Sequence, residues 1–161
     1  MQDLKVHFDE TTLIDRRAVR LFAEHNSLDR ELEDLANRAE TGDWYLCDTI
    51  WDGLVERLEG HMKFEESSLL DGYAATSPEA RNIADELLAE HGVIRQALLE
   101  TGVAIQLHAL ERGRITALVD LLRAHAHREN LTLYPWAAEA ADVFRAAARR
   151  PDDGAHSARQ R

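Results

Sequence analysis

Six residues carry the most legible chemistry in this sequence: His25, His61, Glu65, His91, His125 and Glu129. His61 precedes Glu65 by four positions, and His125 precedes Glu129 by four. That spacing sets two side chains on one face of a helix, a turn apart. An imidazole and a carboxylate placed so can reach a common centre. A repeat overlies this pattern. Leu21–His25 reads Leu-Phe-Ala-Glu-His, Leu87–His91 reads Leu-Leu-Ala-Glu-His, and one His-x-x-x-Glu follows each. The separations are 66 residues from His25 to His91, and 64 both from His61 to His125 and from Glu65 to Glu129. Two similar helical hairpins facing each other predict a pseudo-two-fold site.

All six residues fall at positions that should face a core. A buried carboxylate without a partner is costly enough to protonate. Two such glutamates beside four histidines therefore call for positive charge between them. A pair of metal ions, each held by two histidines and bridged by both glutamates, satisfies all six at once. A single core histidine is more often a hydrogen-bonded packing residue, and one His-x-x-x-Glu arises readily by chance. The combination with a matching repeat is what points to metal. Mixed imidazole and carboxylate donors suit iron, manganese or zinc, and bridging carboxylates hold two ions about 3.5–4 Å apart.

The elements that must position these residues are helices. Leu21, His25, Leu28, Leu32 and Leu35 recur at alternating steps of four and three. The same seam runs through Cys47, Trp51, Leu54, Leu58, His61, Glu65 and Ser68, through Ala84, Leu87, His91, Ile94 and Leu98, and through Ile115, Leu118, Leu122, His125, Glu129 and Thr132. Such stripes face their partners in a bundle. Breaks are expected at Thr41-Gly42-Asp43, at Asp71-Gly72 with Ser77-Pro78, and at Gly113. The helices are accordingly placed at Leu13–Glu40, Trp44–Leu70, Pro78–Arg112 and Ile115–Thr132, with a shorter fifth near Pro135–Arg149. The predicted fold is all-α: an antiparallel up-down-up-down four-helix bundle with a short C-terminal extra helix. Residues 1–12 are expected to form an N-terminal arm, 13–149 the bundle and 150–161 a disordered tail.

Composition limits the partners. The 161 residues include 19 basic and 30 acidic ones, a formal net charge of −11. Neither nucleic acid nor an anionic membrane surface suits so acidic a chain. No apolar run approaches the roughly 20 residues that span a bilayer, and Met1–Glu10 lacks a signal peptide's apolar core. Cys47 is the single cysteine, so an internal disulfide is excluded and a reducing cytoplasm is the expectation. The oligomeric state is left open, with a homodimer among the options.

The order His, His-x-x-x-Glu, His, His-x-x-x-Glu over four helices, with Leu-Tyr-Pro at Leu133–Pro135 after the last glutamate, resembles the hemerythrin-like (HHE cation-binding) domain family. The resemblance spans about Leu13–Trp136. It implies a non-haem centre of two iron ions, with His25, His61, His91 and His125 as terminal ligands and Glu65 and Glu129 as bridges. The oxygen-carrying branch has a further histidine where this chain has Arg95, and an aspartate where it has Asn130. The four-His, two-Glu set resembles the branch of bacterial di-iron repair proteins and eukaryotic iron-sensing domains. The place left by the missing histidine is open, or filled by a side chain such as Glu66. A small diatomic ligand or peroxide is the expected partner of such a centre. The first functional expectation is a protein that binds or senses O2, NO or iron. The alternative is a di-iron enzyme with peroxidase- or catalase-like, NO-detoxifying or iron-centre repair activity.

Other residues are assigned by position. His127 lies about 200° around the helix from His125 and should face solvent, and His108 lies about 25 Å along its helix from His91, too far for the same centre. Cys47 and the three tryptophans should pack. Asp29 is a candidate to orient an imidazole, Arg95 to pair with a carboxylate near the site, and Glu24 and Glu90 should be solvated.

Overall fold

The protein is described by a computed structural model covering residues 28–148. The helix α1 occupies the first described residues, 28–41. It is followed by α2 (Trp44–Ser68), α3 (Leu70–Ala74), α4 (Pro78–Gln106), α5 (Arg112–Leu131) and α6 (Leu133–Ala148). α1, α2, α4 and α5 form the antiparallel four-helix bundle that the seams predict, and α6 is the extra C-terminal helix. His7, Glu24, His25, His156, the N-terminal arm, the start of the first helix and the tail lie outside the described residues.

The turns follow local chemistry. α1 ends at Gly42, whose φ of 75° lies in the left-handed region, and Asp43 then caps α2 by accepting from the Leu46 amide. Ser77 caps α4 in the same way through the Ala80 amide, with Pro78 at the first helical position. The next helix end departs from expectation. α4 stops at Gln106 instead of continuing to Arg112, and α5 starts before Gly113, which lies within it. The stop is a Schellman motif, in which Ala109 N–H donates to Ala104 C=O and His108 N–H to Ile105 C=O. His108 takes the left-handed position there, with φ 54°, and its ring stacks on Trp44 at 4.8 Å.

Two apolar clusters fill the interior. One joins α1, α2, α4 and α5 through Leu32, Leu35, Cys47, Trp51, Leu54, Ile94, Ile105 and Ile115. The other joins the end of α2, α3, α4 and α6 through Leu69, Tyr73, Ala84, Leu87, Leu133 and Ala137. Trp136 lies so close to Gly72 that an added Cβ would stand 2.9 Å from its ring, which is how α6 gains its contact with α3. Outside the core, Arg112 ties α5 to α1 through Glu33, Asn37 and Glu40. Arg123 does the same through Asp29, and Arg57 joins α2 to Glu31 of α1. Among the described residues no helix is long and apolar enough to cross a membrane.

Candidate metal centre

Between the two apolar clusters lies a polar layer. α2 brings His61 and Glu65 into it, α4 brings His91, and α5 brings His125 and Glu129. All five are buried, with Glu65, His91 and Glu129 at 0% exposure. His25, the remaining expected ligand, lies outside the described residues. Donor atoms of Glu65, His91, His125 and Glu129 all fall within 4.8 Å of one another.

The inward atoms divide into two groups. In the first, His91 Nε2 stands 3.1 Å from His125 Nε2, 3.4 Å from Glu65 Oε2 and 3.9 Å from Glu129 Oε1, while His125 Nε2 is 2.8 Å from Glu129 Oε1. In the second, His61 Nε2 is 3.1 Å from Glu65 Oε1, and the Tyr134 hydroxyl donates to Glu65 Oε1 at 2.6 Å and lies 3.2 Å from Glu129 Oε2. That hydroxyl is also 3.1 Å from His61 Nε2. Each glutamate thus turns one oxygen to each group.

The outer nitrogens of two histidines are held by carboxylates. Glu66 Oε1 stands 2.8 Å from His91 Nδ1 and Glu90 Oε2 2.8 Å from His125 Nδ1. An arginine braces each carboxylate in turn. Arg95 donates to Glu66 at 2.8 and 3.3 Å and to Glu59 at 3.0 and 3.3 Å. Arg128 reaches Glu90 at 3.1 Å and also pairs with Glu86. A carboxylate on Nδ1 fixes the ring and turns Nε2 inward, the usual arrangement behind a metal-binding histidine.

These findings correct two expectations. Glu66 does not turn inward with the converging donors; one residue beyond Glu65 its side chain leaves the seam and meets the back of His91. Glu90 is not solely a solvated side chain, because the same offset carries its carboxylate to His125. Asp29 pairs with Arg123 at the surface, and His25, the imidazole it was expected to orient, lies outside the described residues. Arg95 does pair with carboxylates beside the site, and His127 is exposed as expected. Tyr134 has no role in the sequence reading. It enters because α5 breaks at Thr132, whose φ of −128° and ψ of −70° are non-helical. Residues five apart on an unbroken helix would point about 140° apart, yet Glu129 and Tyr134 meet here. Leu-Tyr-Pro was the available signal, with Pro135 placed in the first turn of the new helix, where its missing N–H costs no hydrogen bond.

Protons stabilise the cluster. Burial alone would depress the pKa of His91, but the carboxylates of Glu129, Glu65 and Glu66 beside its ring outweigh it and push the value up to about 10. His125 is raised too, against its own burial, by Glu129 and Glu90. Burial would raise Glu129, yet His125 and His91 hold it well below the usual carboxylate range. Tyr134 is pushed strongly upward by burial and by the charges of Glu129 and Glu65, so its phenol stays neutral and donates. An imidazolium proton thus supplies positive charge that a cation would otherwise bring.

The donor set fits a metal. Two nitrogens bound to one ion at about 2.1 Å stand roughly 3.0–3.4 Å apart, and the His91 and His125 Nε2 atoms are at 3.1 Å. Glu65 Oε2 is buried and accepts no hydrogen bond. The family described as the hemerythrin HHE cation binding domain matches residues 18–137, about three quarters of the chain. No curated protein and no solved structure matches.

Proposed function

The chain belongs to the hemerythrin HHE cation-binding domain family, and from that premise we propose that it is a non-haem di-iron protein that binds a small diatomic ligand, O2 or NO, between its helices. The observation that supports this most directly is the division of the two buried carboxylates. Glu65 and Glu129 each direct one oxygen to the His91–His125 pair and the other to His61 and Tyr134. That is the posture of two bridging ligands. In this reading His91 and His125 serve one ion, and His61, with His25 as the proposed fourth imidazole, serves the other. The oxygen and nitrogen donors also suit manganese or zinc; the family favours iron.

Iron bound here would supply a redox-active pair able to take a diatomic ligand. The protein contributes orientation and dryness. Glu66 and Glu90 hold the outer nitrogens of His91 and His125, so the inner lone pairs converge. Leu58, Ile94 and Leu122 one turn to one side, and Leu69, Leu87 and Leu133 one turn to the other, are buried and keep bulk water from the layer. The carboxylates of Glu66 and Glu90 are about a quarter exposed, at 25% and 26%. They therefore connect each buried ring to solvent and offer an exit for protons that the metal displaces.

Metal content per chain, measured on protein purified without added metal, tests the reading together with the visible spectrum before and after O2, NO or peroxide. Two irons per chain and charge-transfer bands that change on exposure to O2 or NO are expected. Zinc in place of iron, or a folded chain that takes up no metal, would overturn it. Sustained peroxide turnover at constant iron content would reassign the protein as an enzyme.

A further inference from the structure

We propose that Tyr134 is itself a metal-binding residue, its phenol oxygen taking a coordination position beside His61 in the second half of the centre. The inference rests on the di-iron reading above. It deepens that reading by adding an oxygen donor from α6, an element that contributes none of the six expected ligands.

Three features of the geometry support it. The first is distance. Neighbouring donors around an ion bound at about 2.1 Å stand roughly 3.0 Å apart at right angles and 3.4 Å apart in a tetrahedron. The Tyr134 oxygen is 2.6 Å from Glu65 Oε1, 3.1 Å from His61 Nε2 and 3.2 Å from Glu129 Oε2. Those separations match the edges of one coordination polyhedron, with a short hydrogen bond along one of them.

The second is which nitrogen it meets. Glu66 and Glu90 orient His91 and His125 from behind, at Nδ1. Tyr134 stands instead at His61 Nε2, on the same side as the inward oxygens of both glutamates. A group that only oriented the ring would approach its outer nitrogen. The third is how the side chain is fixed. Leu133 and Ala137 are buried, and Trp136 rests on Gly72, so α6 packs on both sides of Tyr134 and holds the phenol in the layer.

The chemistry is matched to the oxidised metal. A phenolate is a hard anionic oxygen donor, of the kind a trivalent ion prefers. On ligation the O–H bond of Tyr134 would break, its proton would leave the buried layer for bulk solvent, and the oxygen lone pair would form the bond to ferric iron. No electron is transferred in this step. A bound cation inverts the local electrostatics that otherwise keep the phenol protonated.

The test loads the full chain with ferric iron and records metal content, visible absorption and resonance Raman spectra. The wild type should show a phenolate-to-iron charge-transfer band, with phenolate ring vibrations enhanced on excitation within it. Tyr134→Phe should lose both while keeping its iron. Tyr73→Phe should keep both, because Tyr73, in α3, faces Trp136 of α6. Should Tyr134→Phe fail to fold, wild-type protein grown with ring-deuterated tyrosine decides the matter through the isotope shift of the same vibrations. Two irons without phenolate vibrations would overturn the role of Tyr134 and leave the di-iron reading standing. A band that survives in Tyr134→Phe would do the same. A chain that binds no iron would overturn both.

Discussion

Glu66→Ala should weaken metal binding without unfolding the bundle. Its carboxylate accepts from His91 Nδ1 at 2.8 Å, a bond made to a ring that carries charge when protonated or metal-bound. Hydrogen bonds of that class contribute about 1.5–3 kcal/mol. At roughly 1.4 kcal/mol per decade this is about a 10- to 100-fold loss of affinity, the range found when carboxylates behind metal-binding histidines are removed. The fold should survive, because Arg95 keeps both bonds to Glu59, at 3.0 and 3.3 Å. Competition against a chromophoric chelator, with zinc as an air-stable probe, gives the affinity directly. Glu66→Gln should lose less than Glu66→Ala, since the amide oxygen still accepts from Nδ1–H. Glu59→Ala should stay within about twofold of wild type, as Glu59 touches the arginine and not the ring. A folded Glu66→Ala protein with wild-type zinc affinity would refute the claim that this carboxylate sets the inward face of His91.

The same geometry yields further outcomes. Glu65→Ala removes a carboxylate shared by both halves of the centre and should abolish two-metal loading, read as metal per chain. Because His91 is raised to about 10, metal uptake at pH 7 must displace its proton; acid released into weakly buffered solution should be measurable, and apparent affinity should rise with pH up to that value. For the metal-free chain the sign is opposite. A histidine raised above its unfolded value near 6.5 contributes stability in full below that pH and loses it as pH climbs through about 10, so the metal-free melting temperature should fall across that window. Two glycines of α4 should respond in opposite directions. Gly92 has open space around it, so Gly92→Ala should gain about 0.5–1 kcal/mol, or roughly 1–4 °C for a chain of this size. At Gly102 an added Cβ would stand 2.9 Å from Trp51 Nε1, and Gly102→Ala should lose about 1–3 kcal/mol from forced repacking.

The bundle was legible because each seam repeats a strict three-and-four spacing, and residues such as Leu54, Leu87 and Leu118 are buried where the stripe puts them. Helix ends were less so. Gly113 looked like a break because glycine is the usual left-handed residue, but His108 takes that position five residues earlier, where stacking on Trp44 offsets a conformation less natural to it. In the centre, the His-x-x-x-Glu pairs were readable from periodicity alone, and four of the five described ligand candidates form the converging cluster, with His61 against its edge. The groups around them were not readable. Glu66 and Glu90 sit one residue past a seam position, so a helical wheel places them off the seam; only the packing of neighbouring helices shows that each reaches across to the histidine of the next. Tyr134 is 69 residues from the Glu65 it touches, and it comes into range only through the break at Thr132. Periodicity describes one helix at a time, and these contacts belong to pairs.

The polar layer between the two apolar clusters also bears on cooperativity. Small domains usually melt as one unit because a single continuous core couples every element to every other. Here α2 and α4 run from the cluster around Leu54 and Ile105 across an ionic stratum to the cluster around Leu69 and Leu133, where α6 takes the place that α5 holds in the first. Coupling between the halves is left to the helix backbones and to the side chains of that stratum. With protons alone at the junction, the halves should melt partly independently, and the van't Hoff enthalpy should fall short of the calorimetric one. With metal bound, ligands from three helices are pinned to common ions and the two enthalpies should converge. Occupancy of the centre would then be recorded in the sharpness of the melting transition as well as in its midpoint.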